Sequence, residues 1–272
     1  MVATPIGNAQ DITLRALDVL RRVGVIACED TRVTAKLLAI HGIKARLTPY
    51  HDHNARGAGR ALVERLQAGD SVAYVSDAGT PLISDPGYRL VRACADAGVA
   101  VFPLPGASAV MAALCVSGLP TDRFLFAGFP PPKSAARARF LAEIAGISTT
   151  LVFMESPRRL AASLSQMAEI LGPRDAMVGR ELTKLFEETR RGTLSNLADH
   201  YQAAGAPKGE VTLVVAPPPK ARSEDEADAD ALLEAALAEL SPRGAAERVA
   251  AETGRPFRRL YGRALDLGRR DR

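Results

Sequence analysis

The amino-acid sequence predicts an α/β protein made of two α/β domains and a small C-terminal helical module, and three observations carry that expectation. Through residue 118, short apolar runs alternate with polar loops and amphipathic helical stretches, the pattern of a mainly parallel, doubly wound sheet. From Thr149 to Ala216 the apolar runs continue, but Glu188 to Gly192 reads as a hairpin arm and Val211, Leu213 and Val215 alternate, which adds antiparallel character. Beyond them the composition changes: residues 220–239 hold seven acids against two bases, and residues 242–272 hold nine arginines against four acids. The expected division is 1–118 and 119–216, hinged at Leu119-Pro120-Thr121-Asp122, then a linker over 217–229 and the helical module over 230–272.

Taken in order, Val2-Ala3 ends a strand before the loop Thr4-Pro5-Ile6-Gly7-Asn8, and Asp11 or Thr13 caps a helix through Val23. An ordinary strand has about five or six residues, so this one is short or the start lacks a few. Gly24 to Cys28 is a buried strand ending at Glu29-Asp30-Thr31-Arg32, with a helix through Ala39. Leu47 to Tyr50 is a short strand closed by His51-Asp52-His53-Asn54, and Arg56 to Gln67 is helical. Val72 to Val75 runs into Ser76 to Gly87, SDAGTPLISDPG, where glycines, prolines and carboxylates crowd a loop whose backbone must approach something closely. Tyr88 to Ala97 is a helix, Val99 to Leu104 a strand, and Pro105 to Ala109 the loop before a helix at Val110 to Val116. In such sheets the binding crevice lies beyond the carboxyl ends of the strands, so the loops at 4–8, 29–32, 76–87 and 105–109 should share one rim.

In the second half, strands are expected at Phe124 to Phe129, Thr149 to Met154, Ala176 to Gly179 and Glu210 to Ala216. A basic helix carries Lys133, Arg137 and Arg139, and further helices cover Leu160 to Leu171 and Leu194 to Ala203. The module should hold helices from Asp230 to Leu240, from Pro242 behind a Ser241 cap to Gly254, and from Pro256 to Leu267. A basic face of Arg255, Arg258, Arg259 and Arg263 marks the last of these.

Composition narrows the function. The 272 residues are 47% apolar and 24% charged with mean hydropathy near zero, as in soluble globular proteins. With no run of roughly 20 apolar residues and no secretory pattern at the start, the expected location is cytoplasmic. Cys28, Cys94 and Cys115 are widely spaced in apolar contexts and are expected to be buried thiols. No GxGxxG follows the first strand, and GxxxxGK[ST], HExxH, CxxC and GxSxG are absent, so no metal centre is expected. What remains is a cleft of backbone polar groups and carboxylates, suited to a polar, partly cationic small molecule. A net charge of +4 permits a polyanionic partner.

TPIGN at 4–8, EDTR at 29–32, HDHN at 51–54, SDAGTPLISDPG at 76–87, PLPGASA at 103–109, GF at 128–129, ES at 155–156, RELTK at 180–184 and KGE at 208–210 together resemble the bacterial small-subunit rRNA (cytidine-2′-O)-methyltransferase family, methyltransferase I. The resemblance spans residues 3 to 216. It implies the tetrapyrrole methylase fold, S-adenosylmethionine in the cleft between two α/β domains, a homodimer, and a cytidine ribose in the decoding region of 16S rRNA as substrate. It sets the donor against Pro5, Gly7, Asp77, Gly79, Thr80, Ala107 and Ser108, with Glu155, Leu182 and Val211 closing over it. A carboxylate such as Asp77 or Asp85 beside the sulfonium would be favourable.

Removing the 2′-hydroxyl proton calls for a base or a polar partner. Asp30 is the first candidate, followed by Lys184 and His53, with Glu29 and His51 also suitable by type. RNA phosphates would meet Lys133, Arg137, Arg139, Arg158, Arg159, Arg190 and Arg191 in the core and Arg258 and Arg259 in the module, with Phe257 and Tyr261 available for stacking. Two other readings stay open: a methylase of a tetrapyrrole or protein side chain, and a non-catalytic ribosome-binding protein.

Overall fold

The computed structural model describes residues 1–83, 85–219 and 224–270. Ser84 of the central loop and residues 220–223 of the expected linker lie outside the described residues. The chain divides into two compact units, Met1–Pro218 and Pro219–Arg272.

In the first half, α1 (Leu14–Arg22), β1 (Val25–Cys28), α2 (Thr31–Ile40), β2 (Leu47–Pro49), α3 (Ala55–Gln67), β3 (Val72–Val75), α4 (Gly87–Asp96) and α5 (Ala109–Ser117) follow one another. The strands form a parallel sheet in the order β2-β1-β3. All four β1 residues are buried, which explains an apolar run without alternation: helices cover both faces. Thr13 caps α1, its hydroxyl accepting the Ala16 N–H at 3.1 Å, and α1 buries Ala16 and Leu20 against Ile26 and Val75.

Two expected strands are reduced to single bridges. Val2 donates its N–H to the Tyr74 carbonyl at 2.9 Å, while Leu104 donates to Met1 and accepts from Ala3, and Val2 pairs with Leu104. The stretch from Val99 to Leu104 is otherwise irregular because Pro103 has no N–H to offer and Val101 and Phe102 face solvent.

The second half holds β4 (Phe124–Gly128), α6 (Ser134–Ile144), β5 (Thr150–Glu155), α7 (Leu160–Leu171), β6 (Asp175–Arg180), β7 (Glu188–Thr193), α8 (Leu194–Ala204) and β8 (Val211–Val215). The sheet order is β4-β5-β8-β6-β7. β4 and β5 are parallel, whereas β8 inserts antiparallel between β5 and β6, and β6 pairs antiparallel with β7. One face packs Phe153, Leu213 and Val178 against Leu164 and Met167 of α7 and Leu197 of α8. Truncating fully buried Phe153 to alanine would cost about 3–5 kcal/mol. The other face packs Val152, Met177 and Val214 against Val110 and Leu114 of α5 and Ile6 of the first loop. This second cluster joins the two sheets, so the loops of the first sheet sit against the strand ends of the second.

The inserted strand has a consequence for the rim. Glu155 at the end of β5 pairs with Val211 at the start of β8, so residues 209–211 stand beside the carboxyl end of β5. Cys28 and Cys94 are buried as expected, but Cys115 is exposed. α5 is apolar on all sides, so its residue pattern does not distinguish an inner face from an outer one.

The unit Pro219–Arg272 contains α9 (Glu224–Leu237), α10 (Pro242–Thr253) and α11 (Phe257–Arg270). Leu233, Ala236, Ala245, Val249, Leu260 and Ala264 form its core. α9 begins within the stretch expected to be linker. In sequence, alanines, the strongest helix formers, alternate there with acids. Ser241 caps α10 by accepting the Gly244 N–H, and Gly254 ends it at φ 68. Arg263 does not belong to a free basic face: its guanidinium spans both oxygens of Asp230, at 2.7 and 2.8 Å.

Candidate active site

The central loop is bonded to each of the other three rim loops. Thr4 and Gly79 exchange backbone hydrogen bonds at 3.0 Å, which joins it to the first loop. Asp77 Oδ1 accepts the Asp30 N–H at 2.9 Å, which joins it to the second. Thr80 Oγ1 donates to the Ala107 carbonyl at 3.0 Å, which joins it to the third. Gly79 holds φ 80, a left-handed conformation open mainly to glycine, and a Cβ there would meet Ile6 Cγ2 at 3.1 Å. Asp85 staples the far side: its carboxylate accepts the Leu82 N–H at 2.7 Å and the Gly87 N–H at 2.8 Å.

These loops and the ends of β5 and β8 enclose a cleft of about 520 Å³, within the ordinary range for small-molecule sites. Six of the ten residues expected around a donor line it: Asp77, Gly79, Thr80, Ser108, Glu155 and Val211. Pro5, Gly7, Ala107 and Leu182 do not line it. Leu182 is buried against Ile6, and the Lys184 side chain packs over Gly7 so closely that a Cβ would collide with it. Five carboxylates line the cleft, from Glu29, Asp77, Asp85, Glu155 and Glu210, and no lysine or arginine does among the described residues. Phe129, Met154 and Pro157 add apolar surface.

Glu155 is buried and fully engaged, accepting from Ser156 N–H at 2.6 Å, Ser163 Oγ at 2.5 Å and Arg159 Nη2 at 2.6 Å. Glu29 differs. Burial raises its carboxyl above the usual carboxylate range, and repulsion from Asp77, Asp85 and Asp52 adds to the rise against an opposing pull from His51.

Asp30 does not line the cleft. It caps α2 and holds Arg32 through hydrogen bonds of 2.6–3.2 Å, and these bring its carboxyl down to about 2. A carboxylate so strongly held in its ionised form is a weak base, which corrects its place as first candidate. Lys184 is also outside the lining. Burial pulls its amine down, but Glu181 Oε1 at 2.7 Å and Glu210 Oε2 at 3.0 Å outweigh that and hold it above the ordinary lysine value. It is therefore a cationic clamp on the cleft wall rather than a base. His53 sits in the turn after β2 against His51, ring centroids 5.9 Å apart, and does not line the cleft.

The arginines expected to meet RNA divide sharply. Arg137 is buried and donates to Gln166 at 2.6 Å; a helix position that reads as basic faces the core. Arg159 is occupied by Glu155 and the Pro130 carbonyl, Arg190 by Glu188, and Arg191 by the Ser117 and Val116 carbonyls at the end of α5. Lys133, Arg139 and Arg158 are exposed, as are Arg258 and Arg259 of the C-terminal unit. There Phe257 stacks on Tyr261 at 5.7 Å.

Glu210, Phe129 and Met154 also line the cleft; the first two fall in the KGE and GF motifs, but the sequence alone gives them no site role, and it does not mark Met154 at all. Glu210 precedes a strand instead of following one. The signal for it is the antiparallel alternation of 211–215, which puts that strand's beginning on the rim. Among the described residues no cluster of three or more His, Cys, Asp or Glu is arranged to hold a metal, and no helix is long and apolar enough to cross a membrane.

Comparison with known proteins agrees with this architecture. The profile of the Tetrapyrrole (Corrin/Porphyrin) Methylases matches residues 1–198, and that of the RsmI C-terminal HTH domain matches residues 223–268. Among solved structures, diphthine synthase superposes with a TM-score of 0.61 at 17% identity, covering 79% of this chain and 88% of that one. Uroporphyrin-III-C-methyltransferase from Thermus thermophilus gives 0.56 at 22% identity, covering 79% and 92%; at such identities the likeness is one of fold. A protein of Mesorhizobium japonicum named ribosomal RNA small subunit methyltransferase I is 54% identical over 98% of this chain and 91% of its own length. One of the same name from Haemophilus influenzae is 45% identical over 96% and 94%. A catalytic core of tetrapyrrole methylase fold followed by this helical unit, in a chain that aligns with such relatives almost end to end, belongs to the ribosomal RNA small subunit methyltransferase I family.

Proposed function

We propose that this chain transfers a methyl group from S-adenosylmethionine to the ribose 2′-hydroxyl of a cytidine in the decoding region of 16S rRNA, acting on the small ribosomal subunit in the cytoplasm as a homodimer. The observation that carries the reading is the 54% identity to a protein named ribosomal RNA small subunit methyltransferase I. The cleft supports the donor: no lysine or arginine lines it among the described residues, and although Arg159 and Lys184 balance Glu155 and Glu210 from behind, Glu29, Asp77 and Asp85 leave an acidic lining that suits a positively charged ligand better than a phosphate.

S-adenosylmethionine, when bound, supplies a methyl group on a cationic sulfur. Asp77 and the backbone around Gly79, Thr80, Ser108, Glu155 and Val211 would hold it, with Ala107 fixing Thr80 and with Pro5, Gly7 and Leu182 supporting the wall; the Glu155 carboxylate itself is taken up by Ser156, Ser163 and Arg159. Rate then depends on aligning the ribose oxygen with the methyl group, which a cleft tied together from four loops is built to do. Glu29 accepts the hydroxyl proton at its carboxylate, since its raised affinity for protons makes it a stronger base than Asp30. Exposed Lys133, Arg139, Arg158, Arg258 and Arg259 hold phosphates outside the cleft.

A groove of about 640 Å³ beside the cleft, lined by Leu82, Val101, Met111, Phe124 and Phe126, offers the apolar surface a second copy would cover. Mapping the labelled nucleotide in small subunits treated with this protein and methyl-labelled donor tests the reading. A 2′-O-methylcytidine in the decoding region is expected; label on a base, on protein, or nowhere would overturn it.

A further inference from the structure

The chain bends where β4 ends. Its register with β5 slips between Phe126 and Gly128, and Gly128 takes φ 68 with no atom within 4 Å of where a Cβ would stand. The glycine therefore serves the direction of the backbone, not a shortage of room. Phe129 follows, then Pro130-Pro131-Pro132, whose rings restrict the chain. Pro130 is buried, and its carbonyl accepts from Arg159 Nη1, a guanidinium that Glu155 also holds. Phe129 is thus carried on a stiff, anchored stem.

Its ring lines the cleft while 53% exposed, and it joins none of the hydrophobic clusters of the described residues. Packing does not account for it. Its neighbours differ in charge: carboxylates line the cleft, while along the chain exposed Lys133 stands at the start of α6 directly after the prolines and exposed Arg158 follows the lining residue Pro157. A nucleotide whose phosphates are held outside and whose ribose enters an acidic cleft has one part left to grip, its base. A neutral aromatic face at the boundary is the chemistry for that grip, since every base offers a π-face.

We infer that Phe129 is the platform on which the base of the methylated nucleotide stacks, fixing the ribose relative to the cleft. The inference rests on the RNA reading proposed above.

The test compares Phe129→Ala, Phe129→Leu and Phe129→Trp with the wild-type protein on small ribosomal subunits lacking the mark. Turnover is followed with labelled donor, and binding of S-adenosylmethionine alone is followed by calorimetry. The alanine and leucine variants should raise KM for subunits by about tenfold to a hundredfold, tryptophan should stay near wild type, and donor affinity, although Phe129 lines the same cleft, should fall by far less than KM rises, the retained donor binding showing each variant folded. Leucine behaving as wild type, alanine leaving KM unaltered, or donor affinity falling in step with KM would each overturn the inference. A wild-type protein that labels no RNA would overturn the substrate reading first, and this inference with it.

Discussion

The Tyr74 hydroxyl donates to Asp85 Oδ1 across 2.8 Å, from a strand residue that is 2% exposed to the loop that lines the cleft. With the Leu82 and Gly87 N–H groups on the same carboxylate, Asp85 shapes the loop more than it addresses a ligand. Tyr74→Phe leaves two donors in place and should cost about 1.5–3 kcal/mol, the range for a hydrogen bond to a charged group. For a unit of this size that lowers Tm by about 2–4 °C per kcal/mol, measurable by thermal unfolding.

Glu29→Gln should lower kcat by about 10²- to 10⁴-fold, the usual contribution of a positioned base, with donor affinity little changed. Asp30→Asn should keep most turnover. The sign of the pH dependence follows from ionisation: Glu29 works as the carboxylate, so wild-type activity falls on acidification, with its limb above the ordinary carboxylate value because burial raises it. Loss of that limb in the Gln variant is the confirming measurement, and an unchanged limb would rule Glu29 out.

Lys184→Met should leave Glu181 and Glu210 without their shared cation and weaken donor binding several-fold through the loosened wall. Lys184 and the Glu210 N–H hold the Glu181 carboxyl below its ordinary range. The stabilisation is therefore present above the unfolded value of about 4.3 and is lost as pH falls through the folded one. Denaturation across that window should show the wild-type advantage over the variant narrowing toward acid.

Arg258→Glu with Arg259→Glu should weaken subunit binding and flatten its salt dependence, by about 0.7–0.9 in log–log slope for each phosphate that is no longer neutralised. Donor binding should persist, because these residues belong to the separate unit Pro219–Arg272. Filter binding at several salt concentrations checks both.

Much of this was legible in the sequence where one face of an element is fixed by burial. The β1 and β3 runs, the Thr13 and Ser241 caps and the Gly79 turn each follow from local chemistry, and the four strand-end loops do converge. What the sequence did not disclose depends on partners far along the chain. Arg137 and Arg159 look like Arg139 and Arg158 until Gln166 and Glu155 are seen beside them. Asp30 and Glu29 are neighbours of like type, and only the cap on α2 turns one outward while the other enters the cleft. Val99 to Leu104 reads as a strand by its apolar residues, yet Pro103 removes a donor from the ladder.

Gly7 and Lys184 are separated by most of the catalytic unit in sequence and touch in space. A side chain at position 7 would lift the lysine stem and with it the ammonium from Glu210, so a change in the first loop would be felt at the start of β8, where Glu210 lines the cleft. The two positions are therefore bound to vary together or not at all, and any lineage that replaces the glycine should be found to have shortened or redirected the residue at 184.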